Sequence, residues 1–324
     1  MRIFFTGVTG FAGSHLADLL LADGHDVFGL VHVASSTQSA PDHPRFHAVP
    51  GDLLDLQGLT QAVADVRPDV IYHLAGQPFP ALSWQNTART LAINSGGTAN
   101  LLEAALAFGR PRVLVVTSAE IYGKIRPNQL PITERSIPKP RHPYGVSKQA
   151  AGQLVRLFAD RYDLPVIEAR PFNHIGPRQA LGFVVPDFAS QLAAIKLGLK
   201  TPDMLVGNLS AERDFTDVRD VVRAYKTLAE RGTAGDAYLI CSGQPVPVHN
   251  ILNILLEMTA MDVKVEYDPA RMRPSDIPVL YGSHHKIARE LGWRPHYHLR
   301  QTLTDVFAEW LQKLATDAAE PVTA

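Results

Sequence analysis

Short apolar runs alternate with helix-length amphipathic stretches from the first residues onward. RIFFT (Arg2–Thr6), Asp26–Val31, Phe46–Val49, Asp69–His73, Arg112–Ser118 and Val166–Arg170 read as compact strands rich in Val, Ile, Leu and Phe. Between them, apolar residues recur every three or four positions over Phe11–Ala22, Leu56–Val66, Thr87–Phe108 and Pro143–Tyr162, which predicts helices there. Nearly continuous apolar strands separated by helices predict a parallel sheet covered on both faces. Right-handed crossovers then make it a doubly wound α/β sheet.

The alternation loosens after Pro171. Helices are expected at Pro186–Gly198, Asp217–Ala229, His249–Met258 and Leu303–Ala315, with strands at Ala237–Cys241 and Val263–Tyr267. This divides the chain into a main sheet domain (1–172 and 214–243), a smaller discontinuous lobe (173–213 and 244–300), and a C-terminal helix and tail (301–324). Such a lobe, seated over the carboxyl ends of the strands, encloses a cleft.

Composition narrows the partners. The 324 residues carry 31 Lys plus Arg against 32 Asp plus Glu, so the net charge of -1 gives no reason to expect nucleic acid or a membrane surface. Cys241 is the only cysteine, which leaves no intrachain disulfide and no thiolate cluster; no metal site is expected. There is neither a secretory pattern nor an apolar run of bilayer length, and a cytoplasmic location is expected.

The chemistry begins at FFTGVTGFAGSHL. Gly7, Gly10 and Gly13 stand three apart between the first strand and the first helix, where glycine permits a tight turn and a close approach to phosphate. The helix amino end offers N–H groups and a positive dipole to a pyrophosphate, so a Rossmann-type dinucleotide site is predicted. The second strand leads into VFGLVHVASS, with no Asp or Glu between Val27 and Ala40 to receive the ribose hydroxyls of NAD. His32, Ser35 and Ser36 suit an added phosphate better, which favours NADP(H) and leaves NAD(H) open. Asp52, after the third strand, is a candidate acceptor at the adenine edge; its alternative role is to cap the next helix.

The second concentration of chemistry is split. VVTSAEIYG sets Thr117, Ser118 and Glu120 at the end of the fifth strand, and HPYGVSK opens a helix with Tyr144 and Lys148 one turn apart. A hydroxyl, a phenol and an ammonium serve a carbonyl–alcohol redox step. In that reading the ammonium acidifies the phenol and holds the nicotinamide ribose, the phenol exchanges a proton with the substrate oxygen, and Ser118 orients that oxygen. His142, His174, His284 and His285 form no liganding motif.

Gly7–Gly13, Ser118, Tyr144 and Lys148 together resemble the extended short-chain dehydrogenases/reductases that act on nucleotide sugars. The resemblance runs essentially full length, and HLAGQ, ARPFNHIGPRQ, VGNLSAERDFTDVRDVV and RMRPSDIP point to the branch of nucleoside-diphosphate-hexose 4,6-dehydratases and reductases. It implies that Gly7, Gly10, Phe11, Ala12 and Gly13 cradle the cofactor pyrophosphate. It also implies that Asp52 and Leu53 meet adenine, that Leu74 and Ala75 line the cofactor path together with Thr117, and that Asn173, Val206, Arg213, Arg273 and Asp276 hold the nucleotide sugar. The implied activity is NADPH-dependent reduction of the C4 ketone of a GDP-linked 4-keto-6-deoxyhexose by a homodimer. Glu120 keeps a 4,6-dehydratase in view, because in those enzymes the carboxylate takes the proton beside a transient ketone; Ala119, which replaces a polar residue there, favours the reductase. A 4-epimerase and, in a different class, an NADP(H)-sensing interaction protein are the remaining alternatives.

Overall fold

The computed structural model describes residues 1–32, 40–271 and 277–319. Six strands open the chain: β1 (Arg2–Thr6), β2 (Asp26–Val31), β3 (Phe46–Pro50), β4 (Val70–His73), β5 (Arg112–Val116) and β6 (Val166–Pro171). The helices among and after them are α1 (Phe11–Ala22), α2 (Leu56–Val66), α3 (Pro80–Gln85), α4 (Thr87–Leu91), α5 (Gly97–Ala107) and α6 (Pro143–Tyr162). Later strands are β7 (Asn173–Ile175), β8 (Asp203–Val206), β9 (Glu212–Asp217), β10 (Ala237–Ile240), β11 (Pro245–Pro247), β12 (Lys264–Tyr267) and β13 (Val279–Leu280). Later helices are α7 (Val184–Lys196), α8 (Val218–Arg231), α9 (Val248–Thr259), α10 (His285–Leu291) and α11 (Leu299–Ala319).

The expected doubly wound sheet is present, with seven strands in the order β10-β6-β5-β4-β1-β2-β3, and every neighbouring pair is parallel. Sequence order reverses between β1 and β4, and an open α/β sheet binds its ligands in the crevice at that switch. One face is covered by α1 and α8 over a core that includes Ile3, Phe5, Leu16, Val221 and Tyr225. The other face packs Phe4, Ile71, Leu101 and Val113 with residues of α2 and α5.

The predicted single helix over Thr87–Phe108 is not continuous. Asn86 separates α3 from α4, and a π-helical segment at Ala92–Gly96 separates α4 from α5. There the Asn94 side chain bonds to Gln77 and Ser147, 17 and 53 positions away, and an inserted residue of this kind is a mark of functional sites.

A second core, with Phe188, Leu192, Ile251, Leu255, Leu303 and Trp310, unites α7, α9 and α11 over the smaller sheets β11-β9-β13 and β12-β8. The C-terminal helix is thus part of the smaller lobe. The segment before it goes the other way: Ile287 of α10 and Trp293 are buried in the core under the main sheet. Trp293 donates its indole N–H to the Asp220 carbonyl, and the Asp220 carboxylate accepts the backbone N–H groups of His296 and Tyr297. Among the described residues no helix is long and apolar enough to cross a membrane.

Candidate active site

The glycine turn is shaped for a phosphate. Gly7 holds φ +81, and a Cβ there would lie 2.6 Å from the Ala75 nitrogen, so only glycine lets β1 pass against Leu74–Ala75. A Cβ on Gly13 would reach 2.0 Å from the Gly7 carbonyl oxygen. Helix α1 therefore seats directly on the turn. Gly10 is its N-cap and supplies no side-chain partner, leaving amino-terminal N–H groups for an anion. A cavity of about 450 Å³ adjoins this end, lined by Thr9, Gly10, Phe11, Ser14 and Arg178 among others. These features fit a dinucleotide diphosphate. Phe11 stacks on His174 with ring centroids 5.7 Å apart, so β7 packs onto the turn.

The reactive side chains converge at the carboxyl edge of β5. Ser118 caps a 3-10 turn at Ala119–Ile121, accepting the Glu120 N–H at 3.1 Å, and its hydroxyl is near enough to the Tyr144 phenol to influence its acidity. Both are buried. Lys148 is also buried and donates to the Val116 carbonyl at 2.9 Å; its Nζ lies close beside Gly76. Burial pulls the Lys148 ammonium down to about 8. Burial likewise pushes the Tyr144 phenol up to about 12, with the Glu120 charge adding to the rise and the Ser118 hydroxyl opposing it. An acidified phenol was expected, and here the direction is the reverse. Lys148 faces a backbone carbonyl, and the nearest carboxylate favours the protonated phenol. A phenol held in that form is a proton donor.

Three neighbours escape a reading by local spacing. Asn94 accepts the Gln77 N–H at 2.8 Å and donates to Ser147 Oγ at 2.9 Å, and Ser147 donates to the Tyr144 carbonyl at 2.7 Å. The π-helical segment thereby grips the first turn of α6. His142 caps α6 by accepting the Gly145 N–H on Nδ1 at 3.0 Å, while its Nε2 lies 3.0 Å from Glu120 Oε2. One signal pointed there: Pro143 occupies the first helical position, which marks residue 142 as the cap.

Beneath this group runs a dry ion pair. Glu168 takes Arg170 Nε at 2.8 Å and Nη2 at 2.6 Å, and Arg170 Nη1 donates to the Tyr122 hydroxyl at 2.8 Å. Thr117 Oγ1 donates to Glu168 at 2.8 Å, so its hydroxyl ties β5 to β6 instead of facing the cofactor path.

The other predicted residues divide. His32 and Asp52 come together at the ends of β2 and β3, 3.5 Å apart and half exposed, on the side expected for adenine. Leu53 is turned into the core beneath α5, and Asn100 donates to its carbonyl. Asn173 is exposed at the start of β7, and Arg213 lies on β9, bonded to the Glu212 carbonyl and near enough to feel the Glu120 charge. The Val206 side chain is buried in the second core, which leaves only its backbone for a ligand. Ser35, Ser36, Arg273 and Asp276 lie outside the described residues.

A serine, tyrosine and lysine meeting at the carboxyl edge of a doubly wound sheet, beside a turn shaped for a dinucleotide diphosphate, define an NAD(P)-dependent oxidoreductase of the extended short-chain dehydrogenase/reductase type. Comparison with known proteins makes the placement narrower. The chain belongs to the GDP-mannose 4,6 dehydratase family, whose profile matches residues 4–306. It is 37% identical over 310 residues to the GDP-6-deoxy-D-mannose reductase of Pseudomonas aeruginosa, covering 95% of this chain and 97% of that one. It is 29% identical over 356 residues to a GDP-mannose 4,6-dehydratase of Vibrio cholerae, covering 97% and 94%. Among solved structures, RMD of Pseudomonas aeruginosa complexed with NADPH superposes with a TM-score of 0.83 at 34% identity, over 97% of this chain and all of that one. The UDP-glucose 4-epimerase of Thermotoga maritima with UDP-glucose superposes at 0.89 with 27% identity, over 97% and 100%.

Proposed function

We propose that this protein reduces the C4 ketone of GDP-4-keto-6-deoxy-D-mannose with NADPH, giving GDP-D-rhamnose. The observation that carries the reading is the buried Tyr144 phenol, beside Ser118 and pushed up to about 12 by burial and by Glu120. A ketone reductase needs a proton donor at that position, and a neutral phenol beside an orienting hydroxyl is one. The 37% identity to a GDP-6-deoxy-D-mannose reductase supports the substrate, and the 34% identity to a structure holding NADPH supports the cofactor, with NADH a slower alternative.

Residues Gly7–Gly13 would hold the dinucleotide diphosphate, and Lys148 the ribose next to the nicotinamide. When bound, the reduced nicotinamide supplies a hydride. Ser118 orients the ketone oxygen toward Tyr144, which gives it a proton as the alkoxide develops. Lys148, anchored on the Val116 carbonyl, serves the ribose and not the phenol in this arrangement. The smaller lobe is the proposed sugar-nucleotide site, with Asn173 and Arg213 facing the cleft, and Arg273 and Asp276 retained as candidates on resemblance alone.

Glu120 supports a second reading, the dehydration of GDP-mannose, and the family's dehydratase members agree with it. One experiment separates the two. Purified protein is incubated with GDP-mannose plus NADP and, separately, with the 4-keto-6-deoxy product plus NADPH; absorbance at the NADPH band and proton NMR identify what forms. Ketone consumption with NADPH oxidation supports the reductase. Water loss from GDP-mannose supports the dehydratase, and NADPH binding without turnover in either mixture supports a sensing protein. We also infer a homodimer through α6 and a cytoplasmic setting, since both reactants are charged and do not cross membranes unaided.

A further inference from the structure

We propose that His142 is a positioning residue: it ties down the Glu120 carboxylate and so withholds it from the carbon beside the substrate ketone. The inference rests on the proposed ketone reduction and explains why a reductase can carry the glutamate of a dehydratase.

The geometry fixes the imidazole tautomer. Nδ1 accepts the Gly145 N–H at 3.0 Å, and a neutral ring whose Nδ1 accepts must carry its proton on Nε2. That Nε2–H lies 3.0 Å from Glu120 Oε2 and donates to it. The side chains are only 14% and 24% exposed, so this is a sheltered bond and not a surface pair in free exchange with water. The His142 ring also lies against the Tyr144 ring, with centroids 5.9 Å apart and planes at 28°, which fixes the imidazole from its other side. Arg213 feels the same carboxylate from β9. Glu120 is therefore held through its side chain by His142, the cap of α6, and through its backbone N–H by Ser118. A carboxylate that is to take a proton from carbon needs an open lone pair within reach of that carbon.

Released from His142, Glu120 can take the C5 proton. The C–H electron pair forms the C4–C5 double bond of an enolate while the carbonyl pair moves to oxygen. Return of a solvent deuteron from the exchanged carboxylic acid restores the ketone, so deuterium enters C5 with no change of oxidation state.

The test uses full-length protein with NADP and GDP-4-keto-6-deoxy-D-mannose in deuterium oxide, where no hydride is available, and follows C5 by proton NMR. His142→Asn preserves an N-cap acceptor, and its shorter side chain places no donor where Nε2 meets Glu120. It is expected to speed C5 exchange by about 10²-fold, the lower end of the range for a positioned general base. The double variant His142→Asn, Glu120→Gln should return to the wild-type rate. Equal exchange in wild type and His142→Asn, with NADPH binding intact, overturns the proposal. A second measurement needs no substrate: long-range proton–nitrogen correlation, with the His142 signals assigned by their loss in His142→Asn. An Nε2–H tautomer is expected, and an Nδ1–H ring overturns the proposal. Wild-type protein that fails to oxidise NADPH with the ketone defeats the reductase reading instead, and the tautomer still judges His142.

Discussion

Tyr144 and Lys148 sit one turn apart on α6, and burial moves each toward its neutral form. Removing the phenol tests the first. Tyr144→Phe should lower ketone turnover by about 10²–10⁴-fold, the usual worth of a positioned proton donor, with NADPH affinity little changed in a fluorescence titration. Lys148 gives a prediction about stability. Its ammonium falls from 10.5 to about 8 in the folded chain, so between those values the unfolded chain binds more protons and stability rises with pH. At neutral pH the charged group is a burden on the fold. Lys148→Met should then raise unfolding free energy at pH 7 by about 1–2 kcal/mol, after allowance for the lost bond to Val116, and the gain should disappear near the unfolded lysine value. Urea unfolding at the two pH values checks it, and a destabilised variant at pH 7 would contradict the burial argument. Ser118, Tyr144 and Lys148 were legible because their spacing is local to a strand end and a helix start. Asn94 and Ser147 were not, because their bond spans 53 positions and polar residues in a helical run look alike until the chain is folded.

At the scale of elements, the strands of the main sheet announce themselves because both faces are covered and their residues are almost all apolar. The small strands do not. β9 reads ERDFTD, yet Asp214 and Asp217 are buried there. Asp214 accepts the N–H groups of Ser242, Gly243 and Gly282, and Asp217 caps α8 while taking Arg219 and Thr302. Those partners come from distant segments, so charge patterning alone reads the strand as exposed loop. His73 shows a similar hidden junction. It ends β4 and bridges Thr6 of β1, at 2.7 Å, to Thr98 of α5, at 3.0 Å. Burial lowers its pKa from 6.5 to about 3, so below 6.5 the unfolded chain takes up a proton that the folded chain refuses and stability is lost as the pH falls toward 3. His73→Asn should flatten the acid slope of the unfolding free energy by about 1.4 kcal/mol per pH unit in that window. An unchanged slope by denaturant titration would mean that the ring charges in place.

For the whole molecule, α6 turns its reactive face inward and leaves Val146, Leu157 and Tyr162 exposed at 45%, 60% and 43%. Three exposed large apolar side chains among the polar residues of that outer face are the support for a dimer there. Leu157→Asp should convert a dimer to a monomer in light scattering, because a buried unpaired charge opposes association. A dimer unaffected by this change would move the interface to another face. The alternation of strands and helices gave the main sheet from sequence, whereas the lobes' true membership depends on where α10 and α11 pack, which no local pattern encodes.

Trp293 and the turn to Tyr297 complete the core under the main sheet, although the strands they support are finished by Ile240. A chain truncated after Ile240 therefore lacks Trp293 from that core and the backbone donors that His296 and Tyr297 give to Asp220.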